Sequence, residues 1–110
     1  MDITKLKNLW IQYQNQSLFG RYLPSQTVAE QLQFLKIPHD VIGYSESETP
    51  IHLLKLGIGK RKILMWSQMH GNESTTTKAV FDLVSMLMDE SCEVAQSILS
   101  NCTLYIIPML

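Results

Sequence analysis

The stretch RKILMWSQMHGNESTTTKAVFDLVSML, from Arg61 to Leu87, changes hydrophobic period part-way along, and few folds accommodate that change. Ile63, Leu64, Met65 and Trp66 run consecutively, as in a strand covered on both faces. From Ser74 onward Ala79, Val80, Leu83, Val84 and Leu87 fall at helical spacing and form one apolar stripe. Between the two lie the polar residues Ser67 and Gln68, then His70, Gly71 and Glu73. A strand that feeds directly into a helix is the first half of a βαβ unit. A histidine and a carboxylate at such a junction can both turn toward one point above the C-terminal edge of a sheet, where open α/β folds place their chemistry.

The flanking sequence completes the unit. Asp89 and Glu90 break the helix, and Val94, Ala95, Ile98 and Leu99 predict a second, short one with Ser91 as its cap. Cys102 to Ile107 is then a β-rich run stopped by Pro108. The strands at Ile63 and Leu104 are therefore expected to be parallel, joined by a right-handed crossover. Upstream, Val41, Ile42 and Tyr44 begin a strand, and Ile51, Leu53, Leu54 and Leu56 form another, the short polar link between them predicting a hairpin. The link from Gly57 to Arg61 is too short for a crossover, which predicts a second hairpin-like turn, with Gly57 and Gly59 as turn residues. His52 alternates with Ile51 and Leu53, toward solvent or a polar neighbour, and His39 lies in a helix-to-strand turn beside Pro38.

Residues 1–38 read as helical support. Leu6, Leu9, Trp10 and Tyr13 share a helical face, and Val28, Ala29, Leu32 and Leu35 mark a second helix with Ser25 as N-cap. Trp10, Tyr13, Phe19 and Tyr22 are expected to pack in or beside the core rather than to line a peptide-binding surface. The expectation for 1–110 is one α/β domain: N-terminal helices, a β-hairpin and a βαβ unit on a mixed sheet, with the sheet and its HxxE half-site in 41–110.

Composition excludes several classes. At 45% hydrophobic and 17% charged the chain is globular. Nine basic and ten acidic residues give a net charge of -1, and Lys60-Arg61-Lys62 is the only like-charge block, which argues against a nucleic-acid partner. No apolar run reaches the length of a membrane span. The start, MDITKLKNLW, lacks a cationic segment followed by an apolar core, so a cytoplasmic location is expected. Cys92 and Cys102 lack CxxC spacing and read as packing thiols. Oligomeric state is not legible.

His70 and Glu73 are the candidate metal ligands. An imidazole nitrogen and a carboxylate both suit Zn2+. Gly71 between them permits close backbone approach or a positive φ, and the helix dipole favours an ionised Glu73. A catalytic zinc needs about three protein ligands and an open position. The third is unassigned here, because His39 and His52 are not at the C-terminal ends of the central strands. On spacing alone, HxxE is a weak signal, and an exposed histidine beside a helix-capping glutamate is the better reading of it.

The wider motif is more specific. Ile63 to Ser74, ILMWSQMHGNES, followed by an apolar helix, resembles the zinc-binding segment of the carboxypeptidase A-like zinc carboxypeptidase family. Ile42-Gly43-Tyr44-Ser45 with Pro50-Ile51 resembles the hairpin before it, although Glu48 and Thr49 stand where family members often have Gly-Arg. Cys102 to Met109 resembles the strand leading into the family's Asn-Pro-Asp-Gly segment. The resemblance covers Val41 to Leu110 and implies a truncated portion of an α/β/α domain. It implies one Zn2+ per full-length domain, with His70 and Glu73 as two of three protein ligands and a histidine beyond Leu110 as the third. The general-base glutamate, the groups holding the substrate carboxylate, the polarising arginine and the capping tyrosine would also lie beyond Leu110. The implied reaction of the parent is zinc-dependent hydrolysis of C-terminal peptide bonds or small amides, and the 110-residue chain alone is expected to be inactive. A catalytically inactive relative serving as a binding or scaffolding module is the alternative. A nucleotide-binding module is disfavoured, because the turn after Met65 lacks the glycines that phosphate approach requires.

Overall fold

The computed structural model describes every residue, Met1–Leu110. Eight elements follow one another: α1 (Ile3–Tyr13), α2 (Ser25–Phe34), β1 (His39–Tyr44), β2 (Pro50–Leu56), β3 (Arg61–Trp66), α3 (Thr75–Leu87), α4 (Glu93–Asn101) and β4 (Cys102–Ile107). The strands form one mixed sheet in the order β1-β2-β4-β3. β1 and β2 make the expected antiparallel hairpin, with a register shift between Val41 and Gly43. Pro50 opens β2 opposite Tyr44, outside the stretch that pairs with β4, so its missing N–H costs no ladder bond there. β3 and β4 are parallel from Arg61↔Cys102 to Trp66↔Ile107, as the change of period predicts.

The second predicted hairpin does not form. β2 pairs antiparallel with β4, not with β3, and β4 lies between them. Strands are spaced about 4.8 Å apart, so the link from β2 to β3 must span about 10 Å. The residues Gly57–Lys60 can do this, since even four extended residues reach about 13 Å. The link crosses the α4–β4 junction at close range. Ile58 N–H donates to the Leu99 carbonyl at 2.9 Å and Gly59 N–H to the Cys102 carbonyl at 3.1 Å. The Thr103 hydroxyl donates to the Gly59 carbonyl at 2.7 Å. A β-carbon on Gly59 would overlap the Asn101–Cys102 peptide, so this glycine supplies clearance rather than a turn. Gly57 has φ +85 and would also meet that backbone.

One face of the sheet carries the core. Leu54, Leu56, Leu104 and Ile106 alternate along β2 and β4, and pack with Val28 and Leu32 of α2 and Phe81, Val84 and Leu87 of α3. Ala95 of α4 and Leu18, Leu23 and Ile37 complete the same cluster. The other face is open within this chain. Leu64 is 58% exposed and Trp66 49%, which corrects the expectation of a strand covered on both faces. β3 is an edge strand, and every helix contribution to the core meets the opposite face.

Three local expectations also change. Ser25 is the first residue of α2 and Pro24 its cap, which suits proline's fixed φ and missing N–H. α4 is capped at Cys92; Ser91 instead donates its N–H and hydroxyl to the Asp89 carboxylate at 2.8 and 2.7 Å. Trp10, Phe19 and Tyr22 are exposed, and only Tyr13 is half-buried, with its hydroxyl donating to Asp89 Oδ2 at 2.6 Å. That bond holds the Asp89 carboxyl below its usual range and pushes the Tyr13 hydroxyl up. α1 thus lies along α3 and α4 over an apolar groove of about 340 Å3 that includes none of the candidate ligands.

Both upstream histidines belong to the hairpin. His39 is in β1, with Nδ1 at 2.7 Å from the Ile37 carbonyl, and its ring meets that of His52 edge-on at 5.1 Å. His52 Nδ1 is buried without a hydrogen-bond partner. Desolvation, and then the charge of His39, lower the His52 pKa. A histidine with a depressed folded pKa is held neutral in the fold, so stability falls as pH drops below the unfolded value of about 6.5. Urea unfolding of the chain should therefore show lower stability at pH 5.5 than at pH 7.5, with a smaller difference in His52→Gln. The same assay should find Gly59→Ala destabilised by more than about 2 kcal/mol, with Gly43→Ala, which meets open space, near neutral.

Candidate metal centre

β3 ends at Trp66 and α3 begins at Thr75, and the connecting residues stand at the C-terminal edge of the parallel pair. His70 to Glu73 form a closed turn in which the Glu73 N–H donates to the His70 carbonyl at 2.9 Å. Their side chains converge, with His70 Nδ1 at 3.2 Å from Glu73 Oε2. Both are open to solvent, at 71% and 69% side-chain exposure. The two residues singled out by spacing therefore meet in space, on the expected edge.

Gly71 plays neither part expected of it. Its φ is not positive, and a β-carbon there would meet nothing within 4 Å. The positive φ falls three residues earlier, on Gln68 at +49. A non-glycine residue in that region costs about 1–2 kcal/mol, and its surroundings show what offsets it. Gln68 is only 5% exposed. Its Nε2 donates to the Leu23 carbonyl at 2.8 Å and the Gly71 carbonyl at 2.9 Å, and its Oε1 accepts from the Thr77 hydroxyl at 2.8 Å. Two carbonyls on one side and a hydroxyl on the other fix the orientation of the amide. The Ser67 hydroxyl donates to the Pro108 carbonyl at 2.6 Å. With that proton and the Thr77 proton so committed, the 3.1 Å approach of the two hydroxyls is a contact without a hydrogen between them.

The N-terminal segment is tied to the same junction. Besides the Gln68 bond to Leu23, the Ser74 hydroxyl donates to the Arg21 carbonyl at 2.7 Å, and Lys78 Nζ contacts the Gly20 carbonyl. Ser74, the cap residue of α3, therefore spends its side chain on Arg21 and not on its own helix. Arg21, Asn72, Glu73, Ser74 and Lys78 line a polar hollow of about 330 Å3 beside the turn.

Nothing else assembles around the pair. No group of three or more His, Cys, Asp or Glu side chains is placed to hold a metal. His39 and His52 are committed to the hairpin, and Cys92 and Cys102 are buried free thiols. Sequence reading missed the Ser67–Gln68–Thr77 network. Its signal in the sequence is two polar residues, Ser67 and Gln68, directly after an apolar run.

The pair fits zinc. Tetrahedral bonds of about 2.0–2.1 Å place two such donor atoms about 3.3 Å apart, and Nδ1 and Oε2 stand at 3.2 Å. The zinc carboxypeptidase family profile matches residues 35–110, and the chain belongs to that family. Among solved structures, it resembles a Burkholderia mallei protein assigned as a carboxypeptidase, at 22% identity and a TM-score of 0.72, over 80% of this chain and 25% of the other. A metallo-carboxypeptidase from Burkholderia cenocepacia matches at 23% identity and a TM-score of 0.62, over 74% and 24%. Thrombin activatable fibrinolysis inhibitor matches at 14% identity and a TM-score of 0.60, over 94% and 31%. These likenesses bear on the fold, and the chain spans about a quarter to a third of those chains. No curated protein matches significantly.

The open surroundings of Gly71 make a prediction. Gly71→Ala should unfold in urea within about 0.5 kcal/mol of the unsubstituted chain, because no neighbour contests the added methyl and the Gly71 carbonyl stays in place for Gln68.

Proposed function

We propose that this chain is the N-terminal portion of a zinc-dependent peptidase domain and contributes two of its metal ligands, His70 through Nδ1 and Glu73 through its carboxylate. The observation that carries the proposal is the 3.2 Å approach of those two atoms on the turn between β3 and α3, in a chain of this family. The substrate class that follows from the family is a peptide, cut at its C-terminal bond, or a small amide.

Zinc bound there would activate a water for attack on the scissile carbonyl. The chain's residues have simpler tasks. His70 Nδ1 faces a Glu73 carboxylate oxygen, and to ligate a metal that nitrogen must carry no proton. Glu73 is spent as a ligand and is not the general base. The turn that carries the two donors, between the end of β3 and the start of α3, closes through its own backbone bond. A third ligand, a general base and a clamp for the substrate carboxylate would come from outside these 110 residues, so the proposal gives the chain alone metal binding without turnover.

Calorimetric zinc titration at pH 7.5 tests this. The chain should bind about one zinc, and His70→Ala or Glu73→Gln should weaken binding at least tenfold, roughly the loss seen when weaker supporting groups are removed. Acylated dipeptides should be hydrolysed by the parent and not by the chain. Zinc binding that survives both substitutions would overturn the ligand assignment. A parent that binds zinc at His70 and hydrolyses nothing would favour a binding or scaffolding role.

A further inference from the structure

The turn that carries the two donors has almost no packing of its own. Met69, His70, Gly71, Asn72 and Glu73 are all exposed, and nothing lies within 4 Å of a β-carbon at Gly71. Inside the turn the only ties are the Glu73 N–H to the His70 carbonyl and the His70–Glu73 side-chain contact. One hydrogen bond reaches it from outside, from Gln68 Nε2 to the Gly71 carbonyl. A loop so exposed would ordinarily sample many conformations, yet a metal site needs its donors held to within about 0.5 Å.

Resting on the zinc reading above, we propose that Gln68 is the positioning residue of this half-site: its buried carboxamide fixes the turn between His70 and Glu73 in a metal-ready geometry. Three features of Gln68 suit it to this. Its amide is anchored before it reaches the turn, through Thr77 of α3 and the Leu23 carbonyl, so the bond to Gly71 is made by a group that cannot swing away. Its left-handed backbone turns the chain sharply after β3, which brings the Gly71 carbonyl back over its own side chain. Its two anchors lie on different elements, so the turn is referenced both to the helix that follows it and to the segment before α2. Neither near-isostere offers the fit: a leucine would fill the volume and leave two carbonyls and the Thr77 hydroxyl without their Gln68 partner, and a glutamate would turn an acceptor toward two carbonyls.

A filler of core space and a positioning residue predict different things. The test compares the unsubstituted chain with Gln68→Leu and Gln68→Gly, the latter relieving the positive φ while removing the carboxamide. Urea unfolding, calorimetric zinc affinity and amide order parameters at Gly71 and Asn72 in the metal-free chain are measured for each. The expected result is that both variants lose about 10–100-fold in zinc affinity, and that Gly71 and Asn72 become mobile while core amides such as those of Phe81 and Ile106 keep their order. Gln68→Gly guards against a Gln68→Leu that fails to fold. A folded variant with unchanged order at Gly71 and Asn72 and unchanged zinc affinity would overturn the proposal. If the unsubstituted chain shows no His70-dependent zinc binding, the zinc reading fails, while the metal-free order parameters still decide whether Gln68 holds the turn.

Discussion

β4 can lie in the middle of the sheet only because the link from β2 to β3 passes flat against the α4–β4 junction. Gly59 leaves no room for a side chain there, and three hydrogen bonds from Ile58, Gly59 and Thr103 close the gap. With β4 inserted, its buried residues Leu104 and Ile106 receive partners on both edges, and the parallel pairing with β3 follows. That pairing sets where β3 ends, and hence the height at which His70 and Glu73 stand above the sheet. A bulky residue at Gly59 would disturb a site at the opposite end of the strand through the sheet alone.

The junction itself trades local strain for position. The left-handed φ of Gln68 is unfavourable, and such conformations persist where the surroundings over-determine them. Here the surroundings are a buried carboxamide whose bonds to Leu23 and Thr77 are made out of solvent, where hydrogen bonds are strong and unmade ones costly, and whose third bond reaches out to the exposed turn at Gly71. The outcome is an exposed pair of donors on a turn whose roots are buried. His70 and Glu73 are open to solvent, while the buried Ser67, Gln68 and Ser74 root the turn on either side of them.

Much of this was legible in the sequence, because the signals were local. The change from an apolar run to a helical stripe located β3, α3 and the turn between them, and the parallel partner followed from the β-rich run at Cys102–Ile107. The His70–Glu73 spacing, within HGNE, marked two side chains that meet at 3.2 Å in the fold. What escaped depends on partners distant in sequence. The insertion of β4 between β2 and β3 rests on contacts between Gly59 and Asn101, and nothing near Gly59 announces them. The exposure of Leu64 and Trp66 could not be read from an apolar run, since hydrophobicity records what a residue tolerates and not what covers it. Gln68 looked like a linker residue because its three partners, Leu23, Gly71 and Thr77, come from three separate segments.

The central claim is that the metal is held by His70 and by neither of the other two histidines. With only His39, His52 and His70 in the chain, their ring nitrogen resonances can be followed individually during zinc titration by proton–nitrogen correlation spectra. The account predicts that the Nδ1 signal of His70 shifts to its metal-bound position, while the His39 and His52 signals stay where they are in the metal-free chain. Movement of His39 or His52 in place of His70 would contradict it.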